Sequence, residues 1–145
     1  MVTGAVLTTL LLAVSAVGRD HTALNGKWTL VPEKCDFAGQ RAVQSGSVTI
    51  EERQGNVTVA RSFVYDGESQ TEFYSDMTDG SNNATIHTGK DVKSKTSWDH
   101  DVLRVTTTDA GAVTVERYTL LPDGTMTVSV VRPEQKPITL VFERK

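Results

Sequence analysis

Cysteine is nearly absent from this sequence: Cys35 stands alone among 145 residues, so no intramolecular disulfide can form. Stability must therefore come from a packed core, and the length suits a single one. Cys35 lies too far beyond the N-terminal apolar stretch to be a lipid-attachment cysteine, and no histidine nearby in sequence would activate it as a thiolate. Charge of one sign is missing too. The 15 basic and 18 acidic residues are interspersed, giving a net charge of -3 with no run of either sign. That pattern excludes the electrostatic footprint of a nucleic-acid binder and a polybasic membrane segment. The histidines, His21, His87 and His100, form no pair at metal-ligand spacing, so no metal is assigned. No Gly-x-Ser-x-Gly elbow exists, and Gln44-Ser45-Gly46-Ser47 has no strand-to-helix setting. Glycines stand singly at turns rather than in a phosphate cradle. Glu51 with Glu52 would face opposite sides of a strand, and Asp99 with Asp101 belongs to a turn. No catalytic residue and no cofactor is assigned on these grounds.

What the chain does have begins at its start. Met1 to Gly18 carries no charged side chain, and Ala5 to Val17 is almost wholly apolar. The run is shorter than the roughly 20 residues of a spanning helix. It ends in small residues, Val14-Ser15-Ala16 or Ala16-Val17-Gly18, that suit a signal peptidase. The expectation is a signal peptide over residues 1–18, a secreted or periplasmic product and no membrane span after cleavage. An N-terminal anchor or a buried first helix is the competing reading.

From Gly26 onward the dominant period is two, with β-branched residues alternating with polar ones. Strands are expected over residues 26–31, 46–52, 56–65, 69–77, 82–88, 91–98, 101–109, 112–121, 125–131 and 137–144. Gln54-Gly55-Asn56, Asp66-Gly67, Asp79-Gly80, Asp99-His100-Asp101, Ala110-Gly111 and Asp123-Gly124 supply hairpin chemistry between them. Such short connections hold no crossover helix, so consecutive strands should pair antiparallel. The fold class is all-β over residues 19–145. An up-and-down barrel of 8–10 strands removes exposed edges, and a flattened β-sandwich is the alternative. Pro32 to Ser45 is the one long non-alternating connection, a loop or a short helical lid.

Gly26-Lys27-Trp28 opens the first strand, and this Gly-x-Trp resembles the first-strand motif of lipocalins. Leu24 to Leu30, followed by Pro32-Glu33-Lys34 and Asp36-Phe37, is similar to a group of small secreted bacterial proteins of unassigned function. The resemblance implies that Trp28 closes one end of the barrel, with Arg144 packed across its ring and Arg132 as second candidate. The family's Thr-Asp-Tyr loop motif has no clear counterpart; Ser75-Asp76-Met77-Thr78-Asp79 stands nearest.

Arg61 and Arg117 share the apolar parity of their strands, with Val57, Val59 and Phe63 and with Val113 and Val115 respectively. Facing a lumen, they would hold a carboxylate or phosphate headgroup, with Tyr65 or Tyr118 nearby and an apolar tail against Phe63, Phe73 and Val130. The competing reading is that Glu72 and Glu116 neutralise them, or that a bulge turns one outward. Trp98, Tyr74 and Tyr118 are read as core or rim residues before a surface patch for sugar or protein. Asn56-Val57-Thr58 and Asn83-Ala84-Thr85 match the glycosylation pattern, and the resemblance to bacterial proteins implies that both are silent. The functional expectation is a monomeric exported protein binding a small hydrophobic or amphipathic molecule. A packed interaction module without ligand and an isomerase or cyclase on the same barrel are the alternatives.

Overall fold

Alternation of this kind closes on itself. The computed structural model describes residues 21–87 and 90–145, with side chains outside 80–91. Its ten strands are β1 (Gly26–Leu30), β2 (Ser45–Arg53), β3 (Asn56–Tyr65), β4 (Glu68–Met77), β5 (Asp79–His87), β6 (Lys90–Asp99), β7 (Val102–Asp109), β8 (Ala112–Leu120), β9 (Met126–Val131) and β10 (Ile138–Arg144). Each pairs antiparallel with the next, and β1 pairs with β10, so the sheet is a closed barrel and not a sandwich. The expected signal peptide and His87 and Asn83 side chains lie outside the described residues.

Turn chemistry sets the register. Asp66 and Gly67 both take positive φ, 49° and 81°, in the two-residue turn that joins β3 to β4. This turn places Tyr65 opposite Glu68 and carries Arg61 to a position directly opposite Glu72. Residues 31–44 form a loop with one 3-10 turn, Pro32–Lys34, and an isolated pairing of Asp36 with Thr139. The lid helix considered for that stretch is not formed. Within it the Cys35 thiol donates to the Val31 carbonyl at 3.3 Å and accepts from the Val141 amide at 3.3 Å, a structural placement.

The two ends of the barrel differ. At one end Leu24, Trp28, Val48, Ile50, Val57, Leu103, Met126 and Phe142 are buried together. Each large apolar side chain there contributes about 1.5–3 kcal/mol on transfer from water. Trp28 donates its indole N–H to the Leu24 carbonyl at 2.9 Å, and Arg144 lies 4.2 Å over its ring. Gly26 has φ 133°, and a Cβ there would stand 3.0 Å from an Arg144 nitrogen, so the close approach requires glycine. The other end is open to polar groups, as described below.

Among the described residues β4 pairs with β5 at Glu72 with His87 and at Phe73 with Ile86. A buried carboxylate ties β4 to the strand beyond: Asp76 accepts from Ser94 at 2.6 Å and from Thr96 at 2.7 Å, both on β6. Short hydrogen bonds to a carboxylate are the strong kind, so Asp76 ties β4 to β6 across β5.

Candidate functional site

Three strands build the floor of the open half. Strand β3 turns Val57, Val59, Arg61 and Phe63 inward, β4 turns in Glu72, Tyr74 and Asp76, and β8 turns in Thr114, Glu116 and Tyr118. Cross-strand register puts Glu72 beside Arg61, while Glu116 reaches it from the facing wall. Arg61 Nη2 donates to Glu72 and, at 3.1 Å, to Glu116 Oε1; Nη1 donates to Glu116 Oε2 and, at 3.3 Å, to the Tyr118 hydroxyl. The Tyr118 hydroxyl in turn donates to Glu116 Oε2 at 2.8 Å.

Burial alone would lower the Arg61 pKa, but Glu116, Tyr118 and Glu72 outweigh it and hold the guanidinium well above its ordinary value. Burial first, then the Glu116 carboxylate, raise the Tyr118 phenol far above its usual value near 10. Tyr74 shifts the same way, again chiefly through burial. A cation held by two carboxylates has its donors committed, which is the usual condition for charge inside a protein.

Above this floor lie two cavities, about 90 Å³ and about 190 Å³, that share Arg61, Glu72, Glu116 and Arg132. Phe63, Val130, Ile138 and Leu140 give the smaller one its apolar wall, with Tyr65 and Gln70 toward the mouth. Thr107, Asp109 and Thr114 add polar groups to the larger one. Arg132 is exposed at the mouth rather than over Trp28. Among the described residues neither cavity is lined by cysteine or histidine, and no group of three or more potential metal ligands occurs. The site can orient hydrogen-bonding groups on carboxylate edges and cover an apolar body.

The sequence placed Arg61, Phe63, Tyr65 and Val130 in one lumen, and the structure brings these four to one cavity. Two expectations are corrected. Arg117 points outward, because Glu116 and Tyr118 are the buried residues of β8 and Val113 is 41 % exposed. Phe73 also points outward and is 50 % exposed, since Glu72, Tyr74 and Asp76 take the inner face of β4. Both differences have one cause: apolar parity marks the inner face only where the lumen is apolar, and this half of the lumen is polar. Arg61 is not an unpaired cation either. The signal that finds this is turn geometry, since a two-residue Asp66-Gly67 turn alone sets Arg61 against Glu72. Gly26, Trp28 and Arg144 meet at the closed end, away from the cavities. Trp98 stacks on His21 with ring centroids 4.2 Å apart, while Tyr74 and Tyr118 are buried.

No protein-family model matches the sequence, and no curated protein matches it. Solved structures match its fold. A fatty acid transporter, REP1-NXSQ, is 15 % identical with a TM-score of 0.67, covering 86 % of this chain and 97 % of its own. A Schistosoma mansoni fatty acid binding protein solved in complex with arachidonic acid is 16 % identical with a TM-score of 0.64, covering 86 % and 98 %. The wild-type fluorescent protein UnaG is 14 % identical with a TM-score of 0.68, covering 87 % and 100 %. The chain thus has the calycin-type barrel fold. Fold alone assigns no activity.

Proposed function

We propose that the protein is an exported barrel that holds one small amphipathic molecule in its open half, with polar groups on the Glu72–Arg61–Glu116 floor. The carrying observation is the pair of cavities that meet at this buried floor and share the mouth residue Arg132. The resemblance in fold to fatty acid carriers supports a binding role. Export rests on the uncharged apolar stretch at the start of the chain.

Size and charge narrow the ligand. Pockets for drug-sized ligands span about 300–1,000 Å³. The larger cavity, about 190 Å³, is below that range, which favours a compact molecule over a long acyl chain. Arg61 already serves two carboxylates, so it is no receptor for a free carboxylate. An anionic group would meet Arg132 at the rim, and hydrogen-bond donors would face the floor.

Titration calorimetry with an amphiphile series of rising chain length, in carboxylate and alcohol forms, tests this reading. Short members should bind, with little preference for the carboxylate, and long-chain members should bind weakly. Tight binding of long-chain carboxylates that is lost in Arg61→Gln would overturn it.

A further inference from the structure

The sequence shows no run of positive charge, yet folding assembles a basic surface. On the outer side of the barrel, Lys93 and Lys95 of β6, Arg104 of β7 and Arg117 of β8 lie on adjacent strands. Lys93, Lys95 and Arg104 are exposed and Arg117 is half-buried. Arg104 and Arg117 are direct cross-strand partners. Like charges placed directly opposite are destabilising, and a carboxylate at either position would relieve them. None is there. Among the described side chains, the outward positions of 93–99, 104–108, 113–119 and 127–131 hold these four cations and one carboxylate, Asp99 at the end of β6, in a chain of net charge -3. Their neighbours carry hydroxyls: Arg104 stands opposite Ser97, Lys95 opposite Thr106 and Arg117 opposite Ser129.

We propose that this face docks on an anionic phospholipid surface. Cations spread over three strands about 4.8 Å apart form a broad basic field rather than a pocket for a single anion. Arginine matches phosphate oxygens in bidentate geometry, and the flanking hydroxyls add donors. The exposed apolar residue beside them is Val113, at 41 %. No described aromatic side chain stands at these outward positions, whereas protein interfaces are anchored by buried aromatics and arginine. The face therefore complements headgroups better than it does an acidic protein. This proposal is independent of what the lumen holds.

The test is sedimentation of the full chain with vesicles of phosphatidylcholine alone and of phosphatidylcholine with phosphatidylglycerol. The readout is the increment between the two, in which partitioning through the apolar Ala5–Val17 stretch cancels. The increment should be present in wild type and fall with added salt. Arg104→Gln with Arg117→Gln should weaken it about thirtyfold, from the usual contribution of each cation near a charged bilayer. Lys27→Gln with Arg53→Gln, an equal change in net charge at exposed sites away from this face, should leave it intact. Lys93→Gln with Lys95→Gln reads the same face if the arginine pair fails to fold. Absence of the increment, or equal loss in both double variants, overturns the proposal. Binding to polyglutamate without a vesicle increment would assign the face to an acidic protein and overturn it as well.

Discussion

The Arg144 guanidinium lies 4.2 Å over the Trp28 ring while donating to the Asn25 carbonyl at 2.6 Å and the Ala23 carbonyl at 2.8 Å. One side chain thus fixes the indole and the incoming chain at the closed end of the barrel. Arg144→Ala should cost about 2–3 kcal/mol, the sum expected of a cation-π contact and charged hydrogen bonds at a half-open site. Arg144→Lys should recover part of it. Urea denaturation measures both, and a loss under about 0.5 kcal/mol for Arg144→Ala would show that the contact is idle.

The buried floor responds differently. Arg61→Met leaves Glu72 and Glu116 facing each other without their cation, which should cost about 3–5 kcal/mol at neutral pH. Protonating a carboxylate removes its charge, so the penalty should shrink on acidification. Adding Glu72→Gln and Glu116→Gln to Arg61→Met should recover most of the loss at neutral pH. Denaturation curves for the single and triple variants across pH decide this; a penalty that ignores pH and survives the triple change contradicts it.

Alkaline stability depends on two phenols. Tyr74 and Tyr118 are raised above their usual value near 10, mainly by burial, so the folded state keeps their protons after the unfolded chain releases them. Their contribution is complete below about pH 10 and is lost as pH rises further. Denaturation midpoints should fall steeply above that point, and phenolate absorbance from these two residues should appear only with unfolding. Tyr118→Phe should flatten the fall. Free titration of every tyrosine in the folded protein would contradict the burial of these two.

Asp76 joins β4 to β6 across β5 by accepting from Ser94 and Thr96. Asp76→Ala should destabilise by about 3 kcal/mol through loss of two charge-assisted bonds, and Thr96→Val by about 1 kcal/mol. Amide exchange should accelerate first in β5 and β6. Uniform acceleration around the barrel would contradict a local staple.

The barrel was legible because period-two alternation and short turns leave few other topologies for strands in this order. The lumen was only half legible. On β3, Val57, Val59 and Phe63 mark the inner face correctly because they belong to the packed end and its border. On β8 the same rule selects Val113, Val115 and Arg117, all outward, since Thr114 and Glu116 line a polar cavity and Tyr118 lies buried beneath it. Alternation reports that two faces exist; it does not report which one is inside when the interior is itself charged. Hairpin register does carry that information for Arg61 and Glu72, whereas Glu116 comes from the opposite wall and no local pattern links it to them.

The central claim is that the open half of the lumen is an occupied binding site. Native mass spectrometry of the protein purified from its own host tests it most directly, with Thr114→Phe to fill the larger cavity and Arg117→Ala as an outward-facing control. A stoichiometric small molecule should accompany the wild type and Arg117→Ala and be missing from Thr114→Phe. A wild type that carries nothing and takes up nothing from host extract, or a Thr114→Phe variant that keeps the same bound mass, would contradict the account.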